Sequence, residues 1–227
     1  MAAKKAETIE IKPISIETVD ITIVGVTPLI IHAWSHKAKQ EMLDKQRGKK
    51  VTAKHGIKIP VNDFMDSLYW LSEQPEHGGN DEEAEENWMA VADTAKFGFP
   101  CNGIKASIIS GAYRAGLDVK MTELRGTMFL EGRTDASTID LAEIVGATPE
   151  MREDMVRVGG MSKTADIRYR GEFKEWEIPL RLKYVKDGKY SLEQLLNMVN
   201  FGGFVTGIGE WRPEKDGQFG MYELKID

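Results

Sequence analysis

The chain has 227 residues, of which 41% are hydrophobic and 29% are charged, a balance typical of a folded globular protein. Its single cysteine, Cys101, excludes an internal disulfide framework and a cysteine-rich zinc site. The net charge of −6 argues against an indiscriminate nucleic-acid coat, and no apolar run approaches the roughly 18–20 residues of a transmembrane helix. We therefore expect a soluble, cytoplasmic protein without a membrane partner.

The first predicted element is a strand. Alternating β-branched residues place it at residues 19–26, and residues 29–31 continue it in an extended conformation. A helix is predicted over residues 35–47, with Ser35 as its N-cap. The charged segment that follows predicts two short strands or a hairpin over residues 49–59.

Two helices and a loop are predicted next. Apolar spacing predicts a helix over residues 61–72, with Asn62 as its N-cap. Residues 73–87 contain a proline, a Gly-Gly pair and clustered carboxylates, which predict a solvated loop. The clearest helix of the first half spans residues 102–116, where Gly116 is typical of a helix C-terminus.

Strand patterns recur through the second half of the chain, at residues 125–131, 140–145, 155–158, 176–185 and 218–226. The glycine-containing segment 159–173 predicts a loop. Residues 191–201 predict an amphipathic helix whose first turn carries a capping box, formed by Ser191 and Gln194.

Taken together, these elements predict an α+β fold. Without an insertion of about residues 32–97, the order is strand, helix, strand, strand, helix, strand. That order predicts a ferredoxin-like or RRM-like antiparallel sheet with two helices on one face. The insertion after the first strand adds a helix and a hairpin, and residues 1–227 are expected to form a single domain.

The strongest local motif is a glycine-rich segment between the last helix and the last strand, residues 202–220. Its glycines permit positive φ and leave backbone N–H groups open to an anion. Arg212 suits bidentate phosphate binding, and Trp211 suits base stacking. The alternative is a loop whose glycines only permit a tight path over the sheet. The segment is neither a Walker A loop nor a dinucleotide fingerprint, and we expect no cofactor.

This segment carries a resemblance to a known family. The pattern G-x-G-x-x-R, formed by Gly207, Gly209 and Arg212, resembles the glycine-rich loop of the RAMP superfamily, the ferredoxin-like proteins of CRISPR effector complexes. The sequence GVTPLIIH is similar to the first strand of their backbone subunits, and an insertion after that strand also fits the family. The chain is similar, too, to proteins of tailed bacteriophages through the motifs GIGEWRPEKDGQFG and YRGEFKEWEI.

The resemblance implies a RAMP-like domain that binds along a single-stranded nucleic acid, with many subunits side by side. The phage motifs imply that it acts in the cytoplasm of an infected bacterial cell. One departure is plain: many loops of the family are richer in arginine or lysine than GIGEWRPEKDG, which weakens its phosphate-binding interpretation. The alternative is that this loop packs against a neighbouring subunit.

Two clusters of basic residues predict further phosphate contacts. Between His36 and Lys58 the eight basic and two acidic residues give a net charge of +6. The basic residues of this cluster are Lys37, Lys39, Lys45, Arg47, Lys49, Lys50, Lys54 and Lys58. The second cluster consists of Arg152, Arg157, Lys163, Arg168 and Arg170, with Tyr169 interleaved to stack on a base. The alternatives are a solvated helix face for the first cluster, and ion pairs with Asp166 and Glu172 for the second.

The predicted function is non-catalytic binding of single-stranded RNA or DNA by a homo-oligomer or filament, in phage replication, recombination or counter-defence. One alternative is an assembly protein without nucleic acid, in which the acidic residues 81–86 pair with the basic residues 37–58 of a neighbour. Another is a metal-independent ribonuclease that uses His32 or His36. These histidines have a helical metal-ligand spacing, but no third ligand follows them, so no metal is expected.

Overall fold

The computed structural model describes residues 13–34, 36–48, 58–157 and 165–225. The strands and helices within these ranges are, in chain order, β1 (Ile16–Gly25), β2 (Leu29–Ile31), α1 (His36–Gln46), α2 (Pro60–Asp66), α3 (Asp81–Met89), β3 (Phe97–Pro100), α4 (Cys101–Arg114), α5 (Met121–Thr127), β4 (Met128–Gly132), β5 (Leu141–Gly146), β6 (Glu150–Arg157), β7 (Ala165–Phe173), β8 (Trp176–Val185), α6 (Leu192–Phe201) and β9 (Tyr222–Leu224). A π-helical turn, Gly202–Thr206, extends α6, and a 3₁₀ turn, Pro213–Lys215, follows it. The predicted α+β class is therefore confirmed.

The larger of two antiparallel sheets is centred on β1 and β8. These strands pair from Ile16 opposite Val185 to Val24 opposite Glu177. Strand β9 pairs with the other edge of β1. The other edge of β8 pairs first with β5 and then with β4, and β3 pairs with β5. The strand order of this sheet is β3–β5–β8–β1–β9, and β4 pairs with the other end of the same edge of β8.

One face of this sheet is buried because its strands alternate regularly. In β8 every second residue, from Trp176 to Tyr184, is buried, and the intervening residues are half-exposed. The helices α4 and α6 contribute buried residues to the same core. The predicted capping box of α6 is present, since the Ser191 side chain accepts from the backbone N–H of Gln194 and the Gln194 side chain accepts in return.

The smaller sheet has the strand order β2–β7–β6. The prediction of a loop over residues 159–173 is wrong for its second part, because β7 pairs with β6 from Ala165 to Glu172 and with β2 at its end. Residues 158–164 lie outside the described ranges. The sequence pattern hid this strand because two of its buried positions are Arg170 and Gly171 rather than apolar residues. A second insertion, which contains β5, β6 and β7, therefore separates β4 from β8 along the chain.

The inserted helices are held against the smaller sheet by aromatic rings. The ring of Phe64 in α2 lies 4.8 Å from that of Trp88 in α3, and Phe97 contacts both Trp70 and Phe173. Burying each such side chain contributes about 1.5–3 kcal/mol. This packing fixes α2 beside β7, where a cleft opens.

Both predictions for the acidic half of the insertion need correction. The second helix begins at Pro60, because proline is favoured at a first helical position, so its N-cap is Ile59 rather than Asn62, and it ends at Asp66 rather than at residue 72. The predicted solvated loop contains α3, whose N-cap Asn80 accepts from the N–H of Glu83. Three carboxylates in its first turn complement the helix dipole, which is why a carboxylate-rich segment is helical.

The remaining differences concern element boundaries. The predicted strand at 125–131 divides into the end of α5 and the start of β4, and the last strand is only Tyr222–Leu224. The predicted hairpin at residues 49–59 and the N-cap Ser35 fall on positions outside the described ranges, apart from residues 58 and 59. No helix in the described part of the chain is long and apolar enough to cross a membrane.

Candidate nucleic-acid surface

An open cleft of about 470 Å³ lies beyond the end of β2, between α2 and β7. Two aromatic side chains, Trp34 and Tyr169, line it beside His32. Trp34 is 60% exposed, although it is one of the largest apolar side chains of the chain. The charged residues of the lining are Lys58, Asp63, Asp66, Asp166, Arg168 and Glu210. The interior of the cleft is therefore acidic, with aromatic and basic groups beside the carboxylates.

Lys58 joins the two sides of this cleft. Its ammonium group lies 3.4 Å from the Asp166 carboxylate and 3.7 Å from that of Asp63, and it donates to the carbonyl of Ile167. The same ammonium lies 5.7 Å from the centre of the Tyr169 ring. The last residue of the basic segment 37–58 is thereby held on β7, so that the two basic clusters meet although 108 residues separate Lys58 from Asp166.

Helix α1 starts two residues after Trp34, which lines the cleft. The predicted phosphate ligands Lys39, Lys45 and Arg47 are exposed, and so are the apolar side chains of Met42 and Leu43. The predicted ligands Lys49, Lys50, Lys54 and Lys163, and the side chain of Lys37, lie outside what the structure describes. Its described cations thus make α1 a basic, solvent-facing helix.

Arg170 occupies a different environment from the one predicted. Only 3% of its side chain is exposed. Its Nη1 donates to Asp154 at 2.8 Å, its Nη2 lies 3.7 Å from Glu210, and its Nε lies 3.4 Å from Nδ1 of His32. The guanidinium is therefore used inside the protein, where it joins β7 to β2 and to the glycine-rich segment. Arg168 remains half-exposed and pairs with Asp166 at 3.6 Å.

Asp154 is the centre of this buried network. It accepts from Arg170, from Nε of Arg152 at 3.0 Å and from the indole N–H of Trp211 at 3.4 Å. Burial raises the pKa of the Asp154 carboxyl, but the hydrogen bonds from the two arginines outweigh burial and hold that pKa below its usual range. Arg152 also binds Glu172 at 3.0 Å, so the alternative of surface ion pairs holds for Arg168 with Asp166 but not for Arg170 with Glu172.

His32 directly follows β2 and lines the cleft. Its burial, and then the positive charge of Arg170, lower the pKa of the imidazole, which is neutral at pH 7 as a result. His32 precedes α1 while His36 begins it, so the two do not share a helical face. Across the described residues, no group of three or more His, Cys, Asp or Glu side chains is placed to hold a metal ion.

The glycine-rich segment is packed tightly against β2. Gly209 has a φ of +77°, and a Cβ at this position would lie 2.3 Å from the carbonyl oxygen of Ile30. That carbonyl accepts from the N–H of Glu210 at 2.8 Å. Gly207 also has a positive φ, of +66°. These contacts agree with the alternative interpretation of the segment, in which its glycines permit a tight backbone path over the sheet.

Arg212 is held by its own loop. Its Nε and Nη2 bind the Glu214 carboxylate at 3.0 and 2.8 Å, and its Nη1 donates to the carbonyl of Gly209 at 2.8 Å. The guanidinium N–H groups that would bind a phosphate therefore already bind a carboxylate. Trp211 is 40% exposed and lies beside Arg170, whose guanidinium carbon is 5.9 Å from its ring centre.

On the open face of the larger sheet, basic and acidic side chains pair with one another. Arg181 lies 3.2 Å from Asp20 and 3.5 Å from Glu131, and Lys183 lies 2.6 Å from Glu131. The outward-facing residues of the central strands β1 and β8 include no aromatic side chain. These two central strands therefore provide no ring for base stacking of the kind seen in RNA-recognition motifs, and the exposed ring of Phe129 belongs to β4, where it is in register with Lys183.

No protein-family model and no curated protein matches this chain. Several solved structures are similar to it, and two of them have the following low sequence identities. The first is a chain of the type III-B Cmr-beta assembly bound to cognate target RNA, with 12% identity and a TM-score of 0.43. That match covers 93% of this chain, which spans only 59% of the length of its match. The second is Cmr6 from Pyrococcus furiosus, with 11% identity and a TM-score of 0.36, covering 94% and 100% of the two chains.

These similarities are too low to carry a functional argument, so the function is argued from the residues of this chain. Sequence reasoning missed Trp34 as a site residue and Glu210 as a partner of Arg170. A signal for Trp34 was present, since a tryptophan directly before a highly charged helix has little apolar surface to pack against. Glu210 gave no signal, because its contact depends on how the glycine-rich segment folds.

Proposed function

We propose that this chain binds single-stranded RNA or DNA, without catalysing a reaction on it, along the surface formed by α1, Lys58 and the rim of the cleft. The observation that carries the proposal is the position of Lys58. Its contacts with Asp166 and Ile167 bring the last residue of the basic segment beside the aromatic side chains Tyr169 and Trp34. A basic track next to exposed aromatic rings is the combination that single-strand binding requires.

Positive and negative side chains along this surface are proposed to contact different parts of the nucleic acid. The exposed cations of α1 attract phosphates, whereas the carboxylates inside the cleft repel them. Carboxylates accept hydrogen bonds from the amino groups of bases, as in their contacts with cytosine N4. We therefore propose that the sugar–phosphate backbone follows α1 and Arg168, while bases turn toward Trp34, Tyr169 and the acidic interior.

We also propose that β4, β8, β1 and β9, with α4 and α6, form a ferredoxin-like core of RAMP type within a single domain. The antiparallel pairing in this order and the two packed helices support this assignment. A homo-oligomer that assembles along the strand, in a phage-infected bacterial cell, belongs to the same proposal. The exposed apolar side chains of α1, Met42 and Leu43, support contacts with a neighbouring copy.

A fluorescence-anisotropy titration of labelled single-stranded RNA and DNA tests the binding proposal. Binding at micromolar protein that weakens steeply with salt is expected for both or for one of them. The variant Lys39→Ala, Lys45→Ala, Arg47→Ala removes three phosphate contacts. It should lower the slope of log K against log salt by about 2, at roughly 0.7 per phosphate of a single strand.

A matched control removes the same number of charges elsewhere. Lys120, Lys186 and Lys225 are exposed lysines outside the cleft and outside α1, and their triple alanine variant should keep the wild-type salt slope. If both triple variants behave alike, α1 is not the phosphate track. If neither nucleic acid binds the wild type, the proposal is wrong and an assembly role without nucleic acid takes its place.

His32 supports binding over cleavage. A ribonuclease of the metal-independent type needs a protonated group to deliver a proton to the leaving oxygen. Burial and the charge of Arg170 lower the pKa of His32, so less of the protonated imidazole is available for that step. Intact RNA after prolonged incubation with the wild-type protein is the expected result, and cleavage lost in His32→Asn would contradict it.

A further inference from the structure

A second cavity lies on the other side of the glycine-rich segment. It is a slot of about 340 Å³ between α4 and the backbone of residues 206–209. One wall is the face of α4 that carries small side chains one turn apart, including Gly103, Ala106 and Ser110. The opposite wall is the backbone of Gly207 and Gly209, and apolar side chains, Phe99 and Met121, complete it. The two walls therefore consist mainly of small side chains and backbone, with the Phe99 ring packed against Gly103.

One hydroxyl in this slot has no partner. Thr206 is 2% exposed, lines the slot, and its Oγ1 makes no hydrogen bond to any described residue. A helical threonine usually bonds the carbonyl four residues earlier, here that of Gly202. That carbonyl already accepts from the N–H of Gly207 at 2.8 Å and from the hydroxyl of Ser107 at 3.0 Å. Both of its lone pairs are in use, so the π-helical turn leaves the Thr206 hydroxyl unpaired.

Unpaired buried polar groups are rare in native proteins, and a bound partner is one of the explanations for them. A hydroxyl both donates and accepts, so it is suited to the edge of a polar ring that enters the slot.

Arg212 adds a planar surface to the same slot. Its Nε, Nη1 and Nη2 are fixed by Glu214 and by the carbonyl of Gly209. These bonds lie in the plane of the guanidinium and leave its two faces for other contacts. A guanidinium face stacks on aromatic rings, so this residue favours a planar ligand over a phosphate at this position.

We infer that the slot between α4 and the glycine-rich segment binds a planar nitrogen heterocycle of the nucleobase class. The ring enters between the small residues of α4 and the glycine backbone, stacks on Arg212 and bonds the hydroxyl of Thr206 by its polar edge. The source of the ring is either a free nucleotide or a base of a bound strand. In the second case the inference rests on the proposed function and adds a base site distinct from the acidic cleft.

The substitution Thr206→Val tests this because its two effects have opposite signs. Valine has the shape of threonine without the hydroxyl, so removal of an unpaired buried group should raise the melting temperature of the free protein by about 2–4 °C. The same substitution should weaken binding of the ring about tenfold, since one hydrogen bond is lost. A residue with a purely structural role would change the melting temperature alone.

A second variant narrows the slot without burying a polar group. Ala106 is an exposed helical position on the slot wall, and Ala106→Leu keeps a strong helix former there. The matched control is Asn102→Leu, exposed on the same helix but not part of the wall. Binding should fall in Ala106→Leu and remain at the wild-type level in Asn102→Leu.

The experiment titrates AMP, GMP, CMP and UMP by calorimetry, and labelled single-stranded RNA and DNA by anisotropy, into the wild type and the three variants. Mononucleotide binding weakened by Thr206→Val and Ala106→Leu supports a free nucleotide as the ligand, even if no strand binds. Strand binding alone, weakened by the same two variants, supports a base of a bound strand. Strand binding untouched by both, without mononucleotide binding, overturns the inference and leaves the proposed function standing. No binding of either kind overturns both.

Discussion

The guanidinium of Arg170 lies 2.8 Å from the carboxylate of Asp154, and both side chains are buried where the β6–β7 hairpin meets the glycine-rich segment. This pair joins the smaller sheet to the last part of the chain. It also changes the role of Arg170, which the sequence predicts as a phosphate ligand. We propose that Arg170 acts on binding indirectly, by holding the strand that carries Arg168 and Tyr169.

Substitution of Arg170 should destabilise the protein strongly. The variant Arg170→Met leaves the buried carboxylate of Asp154 with only part of its partners, and loss of one member of a buried pair costs about 3–5 kcal/mol. We expect the free energy of unfolding in urea to fall by about 3 kcal/mol, because Arg152 still binds Asp154. The matched control is Lys174→Met, which breaks a 2.7 Å pair with Glu150 at the surface. Its cost should stay below about 1 kcal/mol, and similar losses in both variants would contradict the assigned role.

Asp154 should make stability sensitive to acid. Its folded pKa lies below the ordinary 3.8, although burial alone would raise it, because Arg170 and Arg152 stabilise the ionised form. The unfolded state therefore takes up a proton before the folded state does. The stability that Asp154 contributes is complete above about pH 4 and is lost as the pH falls through the folded pKa. In Asp154→Asn the slope of unfolding free energy against pH below pH 4 should fall by up to about 1.4 kcal/mol per unit. An unchanged slope would show that the carboxylate is not held in this way.

His32 should act in a separate pH range. Burial and the charge of Arg170 lower its pKa below the ordinary 6.5, so the unfolded state binds the proton first as the pH falls from neutrality. Stability should therefore decline below about pH 6.5, with a slope of at most about 1.4 kcal/mol per unit from this group. His32→Asn, whose amide oxygen can replace Nδ1 as the acceptor from Arg170, should remove this part of the decline. Urea unfolding at pH 7 and pH 5.5 measures the difference.

Gly209 should tolerate no side chain because of β2. Gly209→Ala combines a positive φ with a Cβ that would lie 2.3 Å from the carbonyl oxygen of Ile30. Gly116 has nearly the same φ, +74°, with no atom within 4 Å of a built Cβ, so it provides a matched control. We expect Gly116→Ala to cost about 1 kcal/mol and Gly209→Ala at least twice as much. Equal losses by chemical denaturation would mean that the contact with β2 does not constrain this segment.

Elements with a strong local signal were the ones predictable from sequence. The strand β8 alternates along its whole length, and the Ser191 capping box marks the start of α6, so both were found with accurate boundaries. The strand β7 was missed because its inward-facing residues include Arg170, whose burial depends on Asp154 in another strand. Helix α3 was missed because a carboxylate-rich segment gives the same local signal for a loop and for the first turn of a helix.

The candidate site was predictable only in part, for the same reason. The basic segment and Tyr169 could be proposed as site residues from the sequence, because a run of charges and an aromatic residue between arginines are visible locally. The meeting of Lys58 with β7 and the pairing of Arg212 with Glu214 are decided by tertiary packing. The sequence does not show whether a charged side chain has a partner, and the fold pairs many of the charged residues with one another.

Trp34 offers the most specific test of the aromatic part of the surface. Stacking of one base on an aromatic ring is worth about 1–3 kcal/mol, so Trp34→Leu should lower the affinity for a single strand about fivefold or more. Tyr113 is the matched control, because it is 59% exposed on α4 and lies outside the cleft, and Tyr113→Leu should leave the affinity unchanged. Stacking releases no counterions, so Trp34→Leu should keep the wild-type dependence on salt, which the triple variant of α1 should weaken. Anisotropy titrations at three salt concentrations separate the two effects. If Trp34→Leu changes the salt slope and not the affinity at low salt, the ring positions α1 rather than a base.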